Sequence, residues 1–186
     1  MKRIVDLFIA VSLLMVMSVP VLVIALLVKL TSKGPVLYFS NRVGKNNIVF
    51  KMPKFRTMKV GTPVVATNLL SEPNRFFTVP GKFLRYSSLD ELPQLWCIIK
   101  GDMTLVGPRP ALFNQDDLIA LRTAEGVHCL VPGLTGWAQV NGRDEMSLFR
   151  KVEMDTEYLH SHSLRMDFYI IWLTVFKVVT KDGVSS

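Results

Sequence analysis

From Leu7 to Val28 the chain carries no charged residue, an apolar run of 22 positions. About 20 such residues suffice to cross a bilayer as a helix. Three readings compete for this run. Met1-Lys2-Arg3 supplies the basic start of a secretory signal. Such a signal has a shorter apolar centre and a small-residue cleavage site, however, and Lys29-Leu-Thr-Ser-Lys33 follows instead. A straight transmembrane helix is the plain reading. The third is a re-entrant helix that enters and leaves on one face. Pro20 lies past the middle of the run. It lacks an N–H and its ring clashes with the carbonyl of Val16, so a kink is expected there. Ser18 is placed to hydrogen-bond a carbonyl freed by the break. Lys2 and Arg3 before the run, with Lys29 and Lys33 after it, pull both ends to the cytoplasmic side. The residues alone leave the spanning and re-entrant readings open.

The remaining chain is long enough for one domain with one modest core. Its net charge is +7, and 49% of its 186 residues are hydrophobic. A chain both apolar and basic suits an anionic membrane surface, an anionic ligand, or both, with nucleic acid as the competing reading. Cys97 and Cys129 are too few for a disulfide framework, and neither belongs to a Cys-x-x-Cys pair that would point to zinc. Phosphate-binding glycine loops, His-Glu-x-x-His and Gly-x-Ser-x-Gly are all missing. His160 and His162 read as helix-end histidines rather than as a metal pair.

Val36–Ser40 and Ile48–Met52 are β-prone runs joined by a polar, turn-rich link, which predicts a hairpin. Gly61 to Pro80 reads as a loop. Helical spacing is expected over Leu89–Lys100, ended by Gly101, and over Asn114–Glu125, ended by Gly126. Val131 to Gly142 is rich in turn formers. Met146–His160 predicts an amphipathic helix. Leu164–Val179 predicts a helix with aromatics suited equally to a core and to a membrane interface.

Four stretches carry the candidate chemistry. In Arg85-Tyr-Ser-Ser-Leu-Asp-Glu-Leu-Pro-Gln-Leu95, Asp90 and Glu91 open a predicted helix, with either Ser88 or Asp90 as its cap. Plain capping is the structural alternative to catalysis. In Lys100-Gly-Asp-Met-Thr-Leu-Val-Gly-Pro-Arg-Pro110, Arg109 is fixed between two prolines, which suits a bidentate phosphate or carboxylate partner. Pro132-Gly-Leu-Thr-Gly-Trp-Ala-Gln-Val-Asn-Gly-Arg143 offers glycines for close approach, with Gln139, Asn141 and Arg143 as polar groups. Lys54-Phe-Arg-Thr-Met58 places two cations around an aromatic at a strand end.

These stretches, together and in this order, resemble the bacterial sugar transferases, the small monotopic phosphoglycosyl transferases. The resemblance runs from the apolar segment to about Val184. It departs from the family pattern at Ser18-Val19-Pro20, Pro53, Cys97 and Val131. It implies transfer of a sugar 1-phosphate from a UDP-sugar to undecaprenyl phosphate, with UMP released, as a first membrane step of surface glycan assembly. It also implies Mg²⁺, a re-entrant membrane helix and an active site on the cytoplasmic face of the bacterial inner membrane. Asp90 becomes the nucleophile and a metal ligand, and Glu91 its partner. Lys54, Arg85, Arg109, Gln139 and Arg143 become candidates to bind the substrates. The expected fold is α+β and mainly helical: a re-entrant helix over residues 1–30, then one catalytic domain over 31–186 with a short β-hairpin and amphipathic interfacial helices. A homodimer stays open, and nucleic acid is not an expected partner. The rival functional reading is a non-catalytic membrane adaptor that binds nucleotide sugar or lipid phosphate.

Overall fold

A computed structural model of the chain describes residues 1–63, 72–142 and 146–180. It is mainly helical, with two small two-stranded sheets. The apolar run divides into α1 (Lys2–Val16) and α2 (Ser18–Thr31), bent by 61°. No single helix among the described residues is long and apolar enough to cross a membrane. The break falls at Met17, three residues before Pro20. Pro20 thus occupies the first turn of α2, where a missing N–H forfeits no intrahelical bond. Ser18 Oγ donates to the Met15 carbonyl at 2.8 Å.

Both ends of this pair are tied to the rest of the molecule. Lys2 Nζ donates to Asp167 Oδ2 at 2.6 Å and to the Val106 carbonyl at 3.1 Å. Arg3 donates to the carbonyls of Ile98 and Ile99, at the C-terminal end of a later helix where cations are favoured. Asp6, buried, accepts from the Thr104 hydroxyl. At the far end, Arg56 Nη2 donates to the Ser32 carbonyl at 3.0 Å and to its hydroxyl at 2.7 Å. Between these anchors Ala10, Ile24 and Val28 are buried, whereas Phe8, Met15, Val16, Val19, Leu22 and Leu30 stay exposed.

The chain then forms the expected hairpin, extended to β1 (Leu37–Val43) and β2 (Val49–Phe55), with Tyr38 opposite Lys54 and Arg42 opposite Phe50. After it come α3 (Gly81–Tyr86), a 3₁₀ segment (Leu89–Gln94) and α4 (Leu95–Lys100). Gly101, in the left-handed region at φ 102°, ends α4. Next are β3 (Thr104–Val106), α5 (Asp116–Ala124), β4 (Gly133–Thr135) and α6 (Trp137–Asn141). The amphipathic α7 (Leu148–Ser161) is capped by Ser147, whose hydroxyl accepts from Arg150 N, and α8 (Leu164–Thr180) follows. The main core gathers Ala10, Met52, Leu95, Ile98, Met103 and Ile170 from four of these elements and one loop. Along α8, Tyr169, Trp172 and Phe176 stack in sequence and remain exposed.

The glycine-rich stretch forms β4, which pairs in parallel with β3, and then α6. Thr104 pairs with Gly133 and Val106 with Thr135. Its glycines allow close approach, but to backbone. A Cβ on Gly133 would collide with Gly107 N and Thr135 O, and one on Gly136 with Gly107 O. The contact fixes where the chain leaves β3 and enters Pro108-Arg109-Pro110. Gly133→Ala is therefore expected to cost about 2 kcal/mol or more of stability. The check is the urea midpoint of the detergent-solubilised protein, and an unchanged midpoint would show that the two strands can separate freely.

Candidate active site

Asp90 and Glu91 lie in the 3₁₀ segment, and neither capping scheme forms. Ser88 is in the left-handed region at φ 57°, and no side-chain cap bond is made. Pro93 cannot donate an i→i+4 bond to Leu89, and the segment winds with the tighter i→i+3 pattern. The carboxylates are left to other partners. Glu91 Oε1 accepts from Lys54 Nζ at 2.6 Å and from Arg109 Nη2 at 3.2 Å. Burial works to raise the Glu91 carboxyl, but Lys54 and Arg109 outweigh it and hold the group well below the usual carboxylate range. Glu91 is thus a fixed negative charge. Asp90, 3% exposed, behaves oppositely. Burial pushes its carboxyl up to about 6, a rise that Glu91 adds to and that Lys54, Arg85 and Arg109 only partly offset. It is ionised at neutral pH and poorly solvated, which keeps a carboxylate reactive.

The cations arrive from separate elements. Lys54 comes from β2, directly under the 3₁₀ segment. Arg85 sits on α3, its guanidinium 5.5 Å from the centre of the Phe77 ring. Arg109 projects from a strap whose flanking prolines are buried while Arg109 itself is exposed. Arg42, on β1, completes the group. Its pKa falls to about 10 through burial and the nearness of Arg109, with Glu91 acting against both, so it stays cationic. Sequence reading missed Arg42. Its only signal was alternation along β1, which points it to the same face as Ser40, and nothing local links β1 to the strap. Four cations thus surround two carboxylates, an excess of positive charge suited to a phosphorylated ligand.

Three of the five expected binding residues, Lys54, Arg85 and Arg109, gather here. Gln139 does not bond to the carboxylates. Its amide nitrogen donates to the Leu134 carbonyl at 3.2 Å, tying α6 to β4, and its Oε1 is buried with no partner among the described residues. Arg143 lies outside the described residues. Cys97 is buried in the main core. Groups of three or more His, Cys, Asp or Glu able to hold a metal are absent among the described residues. A Mg²⁺ ion does not require one, since it is commonly held by one or two carboxylates together with substrate phosphates and water. Asp90 has two carboxylate oxygens for such a role, whereas the one Glu91 oxygen with assigned partners is shared by two cations.

Comparison with known proteins gives this constellation a context. The sequence pattern of the bacterial sugar transferases matches residues 1–181. The uncharacterized sugar transferase EpsL of Bacillus subtilis (strain 168) is 40% identical over 99% of this chain and 90% of its own length. The UDP-glucose:undecaprenyl-phosphate glucose-1-phosphate transferase of Escherichia coli (strain K12) is also 40% identical, over 95% of this chain but 40% of its own. The UDP-N-acetylgalactosamine-undecaprenyl-phosphate N-acetylgalactosaminephosphotransferase of Aeromonas hydrophila is 35% identical, over 98% of this chain and 44% of its own. The chain therefore spans nearly all of one relative and about two fifths of the other two. With residues 1–181 covered and three of the four motifs converging on one charged site, the chain belongs to the bacterial sugar transferase family.

Proposed function

We propose that the protein moves a sugar 1-phosphate from a UDP-sugar to undecaprenyl phosphate, releasing UMP, at the cytoplasmic face of the inner membrane. The observation that carries this reading is the buried Asp90, beside a Glu91 that binds Lys54 and Arg109, with Arg85 near by. The names of the two longer relatives share a UDP-sugar donor and undecaprenyl phosphate acceptor and differ in the sugar.

In this scheme the cations hold the diphosphate and reduce its repulsion of an approaching carboxylate. An Asp90 oxygen attacks the β-phosphorus. The Asp90–phosphorus bond forms as the bond to the bridging oxygen breaks, and the electron pair leaves with UMP. An oxygen of the lipid phosphate then attacks the aspartyl phosphosugar and returns the carboxylate. Asp90 is the residue that would hold Mg²⁺, and the chemistry the ion would supply is neutralisation of charge on the leaving group. Glu91 is too strongly held by its two cations to trade protons, so its role is to aim Lys54 and Arg109.

The membrane pose follows from the helix pair. Lys2, Arg3 and Asp6 tie its first turn to the catalytic domain, and Arg56 ties its last. A pair anchored at both ends to one domain favours the re-entrant reading over the spanning one. Each arm is roughly 20 Å long. With the 61° bend and a symmetric dip, the apex at Met17 would reach only about 10 Å below the anchors. The exposed aromatic row on α8 suits the headgroup region beside it.

Three tests follow. Single cysteines placed at positions 2 and 33 should both resist an impermeant thiol reagent added outside intact cells, and outside labelling at position 2 alone would restore a span. Without acceptor, Mg²⁺ and a usable UDP-sugar should give about one UMP per enzyme, with phosphosugar mass on the Asp90 peptide. Asp90→Asn should abolish that burst. The same variant should raise, not lower, the unfolding midpoint above pH 6. A carboxyl whose pKa is raised by folding contributes stability below about 4 and loses it as pH climbs through about 6. The relief is about 3 kcal/mol at most. An unmodified peptide despite bound UDP-sugar would mean direct transfer between the two substrates. Finally, the burst rate should rise about tenfold per pH unit up to about pH 6 and level off above it. A rate flat from pH 4.5 to 8 would remove Asp90 as the titrating nucleophile.

A further inference from the structure

The Pro108-Arg109-Pro110 strap is held at every carbonyl along its length. Pro108 O accepts from Gly133 N at 2.9 Å, and Pro110 O from Arg42 Nη1 at 3.1 Å. The carbonyl of Arg109 itself accepts from Arg122 Nη1 at 2.8 Å. Arg122 lies on α5, more than nine-tenths buried, and two more of its nitrogens, Nε at 2.9 Å and Nη2, reach Asp155 Oδ2 on α7. Asp155 is 1% exposed.

A buried ion pair is weak ground for stability. Its desolvation commonly offsets its attraction, and well-packed apolar residues often replace it without loss. What apolar residues cannot replace is the bond to the Arg109 carbonyl. A guanidinium can hold a carboxylate along one edge and donate from its remaining nitrogen in another direction. The carboxylate fixes the plane of the fork, and the plane fixes where the third bond lands. A cavity bordered by Pro108, Arg109, Pro110, Arg122 and His128 leaves the strap room to recede if that bond is lost. We infer that the Arg122–Asp155 pair is a positioning device for the transfer reaction, holding the Arg109 backbone so that its side chain meets Glu91 and the diphosphate. This rests on the transferase reading above and extends the site inward to α5 and α7, neither of which carries a substrate-binding residue in that reading.

The decisive variant is the apolar double swap Arg122→Met/Asp155→Leu in the full chain, compared with wild type in detergent. Its unfolding midpoint should be equal or higher, while UMP release with both substrates falls about tenfold. In an Arg109→Lys background the swap should cost no more than about twofold further, because its effect travels through Arg109. Deuterium uptake over residues 105–113 should speed up in the swap, with or without turnover. Should the double swap fail to fold, Arg122→Lys keeps a cation beside Asp155 and must show the same loss and the same faster exchange. A stable swap with wild-type UMP release and unchanged exchange would reduce the pair to a staple between α5 and α7. An additive loss in the Arg109→Lys background would overturn the inference as well. Wild-type protein that releases no UMP from any UDP-sugar would refute the transferase reading instead, and the exchange measurement would then decide the positioning alone.

Discussion

Glu91 carries the charge around which the site is assembled. An ionised carboxylate out of water is costly, and it stays ionised here because Lys54 and Arg109 reach it from opposite parts of the chain. That one carboxylate therefore registers β2, the 3₁₀ segment and the strap against one another. Its neighbour Asp90 is one residue away and in the opposite electrostatic condition, raised where Glu91 is lowered. Adjacent carboxylates in a single turn are thus divided into an anchor and a reactive group. The division comes from which of them receives the cations, since Glu91 binds Lys54 and Arg109 directly whereas Asp90 is the more buried of the two.

The strap shows how the backbone serves this arrangement. Three glycines, at positions 107, 133 and 136, let β3 and β4 approach closely enough that side chains would collide. The prolines then limit the turning freedom of the two residues beside Arg109. The guanidinium is presented outward from a segment that is otherwise buried. A flexible arginine could reach the same point, but it would lose side-chain and backbone freedom each time it did so.

Much of this was legible in the sequence, and the rest failed for identifiable reasons. The hairpin, α5, α7 and α8 each announce themselves through local periodicity and a stop signal, such as Gly126 after α5. The kink was placed at Pro20 and lies at Met17, because proline is harmless in a first turn and the helix restarts just before it. The β3–β4 pair was invisible since Val106 and Thr135 meet only through the tertiary fold. Asp90, Glu91, Lys54, Arg85 and Arg109 were found by motif. Arg42 and Arg122 were not, as neither belongs to a motif and each acts through a carbonyl on a distant segment. The basic residues before the apolar run were read as topology signals, yet Lys2 and Arg3 are engaged in bonds to the protein.

Those two residues set the order in which the molecule can be completed. Lys2 finds its partner at Asp167, 165 positions later, close to the end of the described chain. The apolar helix pair is therefore synthesised well before the carboxylate that receives its first turn. Before α8 exists, α1 can be held by Arg3 at Ile98 and Ile99 and by Asp6 at Thr104, but Lys2 lacks its carboxylate partner. The Lys2–Asp167 bond closes a loop of 165 positions, and contacts of such separation form late and slowly. The placement of the apolar helix pair is therefore a property of the folded domain as well as of the pair itself, and loss of Asp167 would reach α1 through Lys2.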